Sequence, residues 1–200
     1  EMLLIPMKNS FRSRIQYWGN SLAKLIFNLR VHGAEMVPRK GGVIIACNHI
    51  SELDPPVLGC AIPRTVAFMA KMELFKYRFS DFFLRKLNAF PVNRSSVDTS
   101  ALRTAIGLLR SGTAVVIFPE GTRSNNGSML PVKGGISLIA LSADVPVIPA
   151  FIWGTQHAGR AFRRTGQPFS VSFGRMLTGE RIRSIKTEKG SMAVAERIMS

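Results

Sequence analysis

The sequence holds only two cysteines, Cys47 and Cys60, and two cannot build a disulfide framework or a multi-cysteine zinc site. Their scarcity fits a reducing compartment, and each reads as a small core residue. Histidine is almost as rare: His32, His49 and His157 are the three present, scattered too widely to suggest a metal cluster. No stretch reaches the about 18 uncharged apolar residues that a membrane-spanning helix needs, and no secretory signal is read. Carboxylates are also in short supply, 12 Asp and Glu against 27 Lys and Arg, for a formal net charge of +15. Such a balance argues for an anionic partner: nucleic acid, an anionic membrane surface or a phosphorylated substrate. Hydrophobic residues make up 46% of the chain and the mean hydropathy is +0.14, which tilts the choice towards membrane or lipid. The 200 residues suffice for one domain with a sizeable core, and no repeat, low-complexity segment or linker divides them.

The lack of acid is complete in "NSFRSRIQYWGNSLAKLIFNLR", residues 9 to 30. Phe11, Ile15, Trp18, Leu22, Leu25, Ile26 and Leu29 recur there at helical spacing, with Arg12, Arg14, Lys24 and Arg30 among them. This pattern predicts a helix lying in a membrane interface, with Trp18 at headgroup level. The plainer alternative is an amphipathic helix packed on its own domain. Residues 1–30 are accordingly read as a membrane-associating helical segment, and residues 31–200 as the domain that carries any chemistry.

Beyond that segment extended and helical patterns alternate. "RVHGAEMV" (30–37), "VIIAC" (43–47), "TVAFMA" (65–70), "AFPV" (89–92), "AVVIF" (114–118) and "FSVSFGRM" (169–176) read as strands. The β-branched runs suit buried ones. "VPVIPAFI" (145–152) is extended, and its prolines favour an edge strand or strand ends. Helices are expected from Asp54-Pro55-Pro56 onwards, from about 73 to 87, over 98–111, over 134–143 and over 187–199. The alternation predicts a single α/β domain with a mainly parallel or mixed central sheet flanked by helices.

Two stretches carry groups suited to chemistry. The first is "CNHISELD", residues 47–54, where a buried strand delivers Asn48 and His49 to its C-terminal end. That edge is where α/β sheets place ligands. A five-residue turn brings the Asp54 carboxylate within reach of the imidazole, fixing its tautomer and leaving the other ring nitrogen to take a proton. A capping aspartate beside an ordinary loop histidine fits the spacing equally well. The second is "FPEGTRS", residues 118–124, a tight loop after another buried strand. Gly121 permits a close backbone approach, Arg123 can fork onto a phosphate, Thr122 can donate to it, and Glu120 can accept from a hydroxyl. A surface turn with a solvated ion pair is the competing view. Lys71, Arg94 and Lys133 each follow an extended segment, and together they could gather on an anionic group.

"NHISELD", "FPVNR" (90–94), "FPEGTRS" and "VPVIPAFI", in that order and spacing, resemble the conserved blocks of the glycerophospholipid acyltransferases. The likeness spans residues 48–152 and is nearest to the bacterial members that make phosphatidic acid from lysophosphatidic acid. The sequence departs from the pattern at Asn93, where an acidic residue is common, and at Val132-Lys133-Gly134-Gly135-Ile136, where F-K-x-G-A is common. The resemblance implies O-acyl transfer to the free sn-2 hydroxyl of 1-acyl-glycerol-3-phosphate, with acyl-CoA or acyl-carrier protein as co-substrate and with no cofactor or metal. It implies His49 as general base, an effect of about 10²–10⁴-fold, oriented by Asp54. Arg94 and Arg123 would hold the acceptor's phosphate, supported by Lys71 and Lys133. Glu120 would meet a glycerol hydroxyl, Asn48 would orient the loop or the acyl carbonyl, and backbone amides near Gly121 would face the oxyanion. The expected partners are a membrane lipid surface, lysophosphatidic acid and the acyl donor, at the cytoplasmic face of the inner membrane, with no nucleic acid. Other acceptors, glycerol-3-phosphate or another lyso-lipid, keep the same chemistry. A basic nucleic-acid-binding domain lacks a recognisable motif here, and a non-catalytic lipid-binding module would have no use for His49 and Asp54.

Overall fold

In a computed structural model of the chain, the described residues are 28–86, 88–93, 98–124, 127–157 and 168–199. Seven strands, β1 (Arg30–His32), β2 (Val43–Cys47), β3 (Val66–Lys71), β4 (Ala89–Val92), β5 (Ala114–Ile117), β6 (Val147–Trp153) and β7 (Ser170–Phe173), form one sheet in the order β1-β7-β6-β2-β5-β3-β4. The stretch β6-β2-β5-β3-β4 is parallel throughout. β7 runs antiparallel to β6, and β1 runs parallel to β7. The sheet is therefore mixed, as the alternating pattern predicts.

The helices are α1 (Asp54–Ala61), α2 (Arg78–Lys86), α3 (Thr99–Arg110), α4 (Gly135–Ala143) and α5 (Gly179–Met199). Central strands read as unbroken apolar runs because both faces are covered. Val43, Ile45 and Cys47 of β2 join Val57 and Leu58 of α1 in one core. Ile44 and Ala46 point the opposite way, as the two-residue strand period requires. They join Leu109 of α3, Ile139 of α4 and Ile182 and Val194 of α5 in the other core. Among the described side chains, α2 supplies none to either core.

Three expectations change. The helix expected from about 73 to 87 is divided: a 3₁₀ turn (Met72–Lys76) breaks at the extended Tyr77 before α2 begins. The proline-bearing segment 145–152 contributes not an edge strand but the interior strand β6, between β2 and β7. Pro149 is tolerated because the ladder towards the β7 side is interrupted between the Val147↔Leu177 bridge and the Ala150↔Phe173 pair. Proline falls in that gap, where its missing N–H breaks no rung, and its carbonyl accepts from Gly174 N–H at 2.8 Å. The last helix starts earlier than expected, at Gly179, and is two helices joined at Gly190, whose φ of 84° is non-helical.

The predicted amphipathic segment ran to residue 30. Arg30 instead opens β1 and Leu29 is buried in the core, while residues 1–27, which hold the rest of that pattern, lie outside the described residues. Among the described residues no helix is long and apolar enough to cross a membrane. Because β2, β3, β5 and β6 are parallel, the loops that follow them gather at one edge of the sheet, and both candidate stretches lie there.

Candidate active site

Residues after β2 fold back on themselves around Asp54. The carboxylate is wholly buried. Its Oδ2 accepts the His49 Nδ1–H at 2.8 Å, the Ile50 N–H at 2.7 Å and the Ser51 N–H at 2.8 Å. Its Oδ1 accepts the Thr155 hydroxyl at 2.6 Å. Asp54 is the first residue of α1 and makes no side-chain cap. Pro55 and Pro56 follow it and carry no N–H to be capped, so the carboxylate turns towards the histidine. The two readings left open by the spacing are thereby separated in favour of the pair. A carboxylate on Nδ1–H fixes the tautomer and leaves Nε2, the nitrogen not committed to Asp54, as the proton acceptor.

The histidine is held from several sides. Its ring stacks on Phe118 with centroids 4.1 Å apart and planes 18° from parallel. Its main-chain N–H donates to Glu120 Oε1 at 2.8 Å, and its carbonyl accepts from Ser124 N–H at 2.8 Å. Glu120 Oε2 accepts Leu130 N–H at 2.8 Å, and the residue is only 2% exposed. Each carboxylate oxygen accepts a main-chain amide, so Glu120 braces the histidine loop against the 118–124 turn. Asn48 is likewise turned inward: its Nδ2 donates to the Ile152 carbonyl at 3.0 Å and its Oδ1 accepts the Ile152 N–H at 2.8 Å. It mimics a backbone rung between the ends of β2 and β6. Cys47 sits below, where burial first, then the charges of Asp54 and Glu120, push its thiol well up. It stays protonated and does not act as a nucleophile.

Gly121 has φ +70°, a conformation side chains rarely adopt, and a β-carbon there would lie 3.0 Å from Lys133 Nζ. The glycine lets the lysine lie across the turn. The Gly121 N–H donates to the Phe118 carbonyl at 3.0 Å, so this amide is committed within the turn and does not face an oxyanion. Among the described residues, the expected cations do not meet at one point. Lys133 lines a cavity of about 290 Å³ with Phe118, Gly121, Asn93 and the apolar Met69 and Ile136. Arg123 lines a separate, more polar space with Ile50, Ser124, Trp153, Gln156 and His157, and pairs with Glu52 at 2.7 Å. His49 separates the two through Phe118 on one flank and Ile50 and Ser124 on the other. Lys71 stands apart, half exposed and 3.5 Å from Glu73. Thr122 is exposed, and Arg94 lies outside the described residues. No group of three or more His, Cys, Asp or Glu suited to a metal ion occurs among the described residues.

Sequence reasoning missed Thr155 and the stacking role of Phe118. Thr155 lies 101 positions from Asp54, and no local pattern marks it. The only available signal was its place just after a strand that ends on the same edge.

A carboxylate-held imidazole on the C-terminal edge of an α/β sheet, between an apolar and a polar cavity, suits transfer of an apolar group onto a substrate's own hydroxyl. The chain belongs to the acyltransferase family, whose model matches residues 28–153, and is an O-acyltransferase. It is 36% identical over 154 residues, 74% of this chain and 76% of the relative, to the 1-acyl-sn-glycerol-3-phosphate acyltransferase of Bacillus subtilis (strain 168). It is 30% identical over 184 residues, 85% of this chain and 66% of the relative, to the lyso-ornithine lipid O-acyltransferase of Pseudomonas aeruginosa. Among solved structures, the 1-acyl-sn-glycerophosphate (LPA) acyltransferase of Thermotoga maritima superposes with a TM-score of 0.70 at 29% identity, over 97% of this chain and 84% of that one.

Proposed function

We propose that the protein transfers a fatty acyl group from acyl-CoA or acyl-carrier protein to the free sn-2 hydroxyl of 1-acyl-glycerol-3-phosphate, giving phosphatidic acid. The observation that carries this reading is the His49–Asp54 pair at 2.8 Å with the carboxylate wholly buried. An alcohol is a weak nucleophile at neutral pH. His49 Nε2 takes the hydroxyl proton as the oxygen attacks the thioester carbon, and Asp54 stabilises the imidazolium that forms. Collapse of the tetrahedral intermediate breaks the carbon–sulfur bond, and the proton passes to the departing thiolate. The acyl chain lies in the apolar cavity beside Phe118. The acceptor's phosphate is held by Arg123 and by Arg94, with Lys133 across the turn at the apolar mouth. Asn48 and Glu120 position the histidine loop. No metal or cofactor is assigned a step.

Both lipids reside in a bilayer, and residues 1–27, which carry the rest of the amphipathic pattern, are proposed to dock the enzyme on its cytoplasmic face, the side on which acyl thioesters are made. A second acceptor is favoured by one observation: Glu52 stands against Arg123 at 2.7 Å, so a headgroup bearing both charges, as in a lyso-ornithine lipid, would find a partner for each. The test is acyl transfer from labelled acyl-CoA to lysophosphatidic acid, glycerol-3-phosphate and a lyso-ornithine lipid, comparing wild type with His49→Ala and Asp54→Ala. Each variant is expected to lose roughly 10²-fold or more of kcat/KM on the preferred acceptor. Full turnover by folded His49→Ala protein overturns the mechanism.

A further inference from the structure

We propose that the 3₁₀ turn Met72–Lys76 and helix α2 form a membrane-contact surface of their own, fitted to an anionic phospholipid layer. The proposal rests on the reading above only in taking the substrate to be a bilayer lipid. The segment "KMELFKYRFSDFFLRK", residues 71–86, exposes four large apolar side chains to water: Leu74 is 44% exposed, Tyr77 70%, Phe79 82% and Phe82 57%. Phe79 and Phe82 are three residues apart and so share one side of α2. The Ser80 hydroxyl bonds the carbonyls of Leu74 and Tyr77, which ties the turn to the start of the helix and keeps these side chains together. A patch of this kind on a folded domain marks a contact surface.

The charge says what it contacts. Five basic residues, Lys71, Lys76, Arg78, Arg85 and Lys86, stand against two acidic ones, Glu73 and Asp81. Glu73 is paired with Lys71 and Asp81 with Arg85. The surplus is Lys76, Arg78 and Lys86, and the Lys86 ammonium lies 4.5 Å above the Phe82 ring. Protein interfaces deplete lysine at their centre, whereas an interfacial helix combines aromatic residues with flanking Lys and Arg. Position agrees: the turn leaves β3 at the sheet edge that carries His49, so a bilayer against α2 would lie on the active-site side of the molecule.

The experiment is co-sedimentation of the full chain with vesicles of phosphatidylglycerol in phosphatidylcholine and with vesicles of phosphatidylcholine alone, at low and high salt. Lys76→Ser/Arg78→Ser/Lys86→Ser is expected to weaken binding to the anionic vesicles by roughly fivefold per charge removed, and the loss should shrink as salt screens the surface. Phe79→Ser/Phe82→Ser is expected to weaken binding about tenfold on both vesicle types. Turnover of short-chain substrates presented as monomers should stay within about twofold of wild type. Vesicle binding within twofold of wild type for both folded variants overturns the proposal. So does a dimer in the wild type that the phenylalanine variant dissolves without any change in vesicle binding. Absence of acyl transfer by the wild type would count against the proposed function and leave the vesicle result to decide the surface.

Discussion

Asp54 offers one carboxylate oxygen to three donors and the other to a single hydroxyl, that of Thr155 at 2.6 Å. That hydroxyl links the turn after β6 to the buried carboxylate, and Thr155 is itself buried. Thr155→Val conserves shape and removes the donor. A hydrogen bond to a charged group is worth about 1.5–3 kcal/mol, so kcat is expected to fall about 10- to 100-fold with KM little changed, and Thr155→Ser to restore most of it. Equal effects of Val and Ser on kcat would reduce Thr155 to packing. The His49–Asp54 pair itself was half legible in the sequence: five-residue spacing permits both a helix cap and a hydrogen bond to the imidazole, and in the fold the carboxylate turns to His49, with prolines at the two positions after it. Glu120 was not legible as a brace, because a glutamate in a polar loop ordinarily faces water. Its burial depends on amides from residues 71 positions before it and 10 after it.

At the scale of elements, the 118–124 turn and α3 flank the apolar cavity in different ways. Gly121→Ala forces a β-carbon into φ +70° and to within 3.2 Å of the Lys133 side-chain carbons. The lysine must leave the turn, so KM for the lipid acceptor is expected to rise roughly tenfold while the unfolding midpoint moves little; unchanged KM would free Lys133 from any part in binding. Asp98 caps α3: Oδ1 accepts Ser100 and Ala101 N–H at 3.0 Å each, and Oδ2 accepts Asn93 N–H at 2.8 Å. The Asn93 amide above all, then the helix amides, hold its carboxyl down to about 2 from an ordinary 3.8. A depressed carboxyl stabilises the fold above its unfolded value and loses that contribution as pH falls through its folded one. The difference in thermal midpoint between wild type and Asp98→Asn should therefore be full above pH 3.8 and vanish towards pH 2, and a difference that persists at pH 2 would point to packing. The sequence pattern located most strands and helices, since β-branched runs and helical spacing are local properties. It failed where tertiary context overrides them, as in the ladder gap that admits Pro149 into an interior strand and the extended Tyr77 that splits residues 72–86.

Across the whole molecule the two ends of the parallel strands divide the work. His49, the 118–124 turn and Thr155 follow the C-terminal ends of β2, β5 and β6. At the opposite end, Arg64 precedes β3 and its guanidinium donates to the carbonyls of Pro38 at 2.8 Å, Gly41 at 2.8 Å and Gly112 at 2.7 Å. These carbonyls belong to the loops that lead into β2 and β5, so one cation fastens three strand entrances. Neither this clamp nor the shared edge is visible in a linear reading, because both follow from strand order. Arg64→Met keeps the aliphatic stem and removes the donors, leaving three loop carbonyls to water. It is expected to lower the free energy of unfolding by about 2–4 kcal/mol, measured by urea titration, while kcat/KM per folded molecule stays within about twofold. Thr155→Val should show the reverse: a large loss of turnover with a smaller loss of stability. If activity in Arg64→Met falls in step with Thr155→Val at temperatures where both are folded, the entrances and exits of the strands are coupled through the sheet, and the division between a stabilising end and a reactive end is wrong.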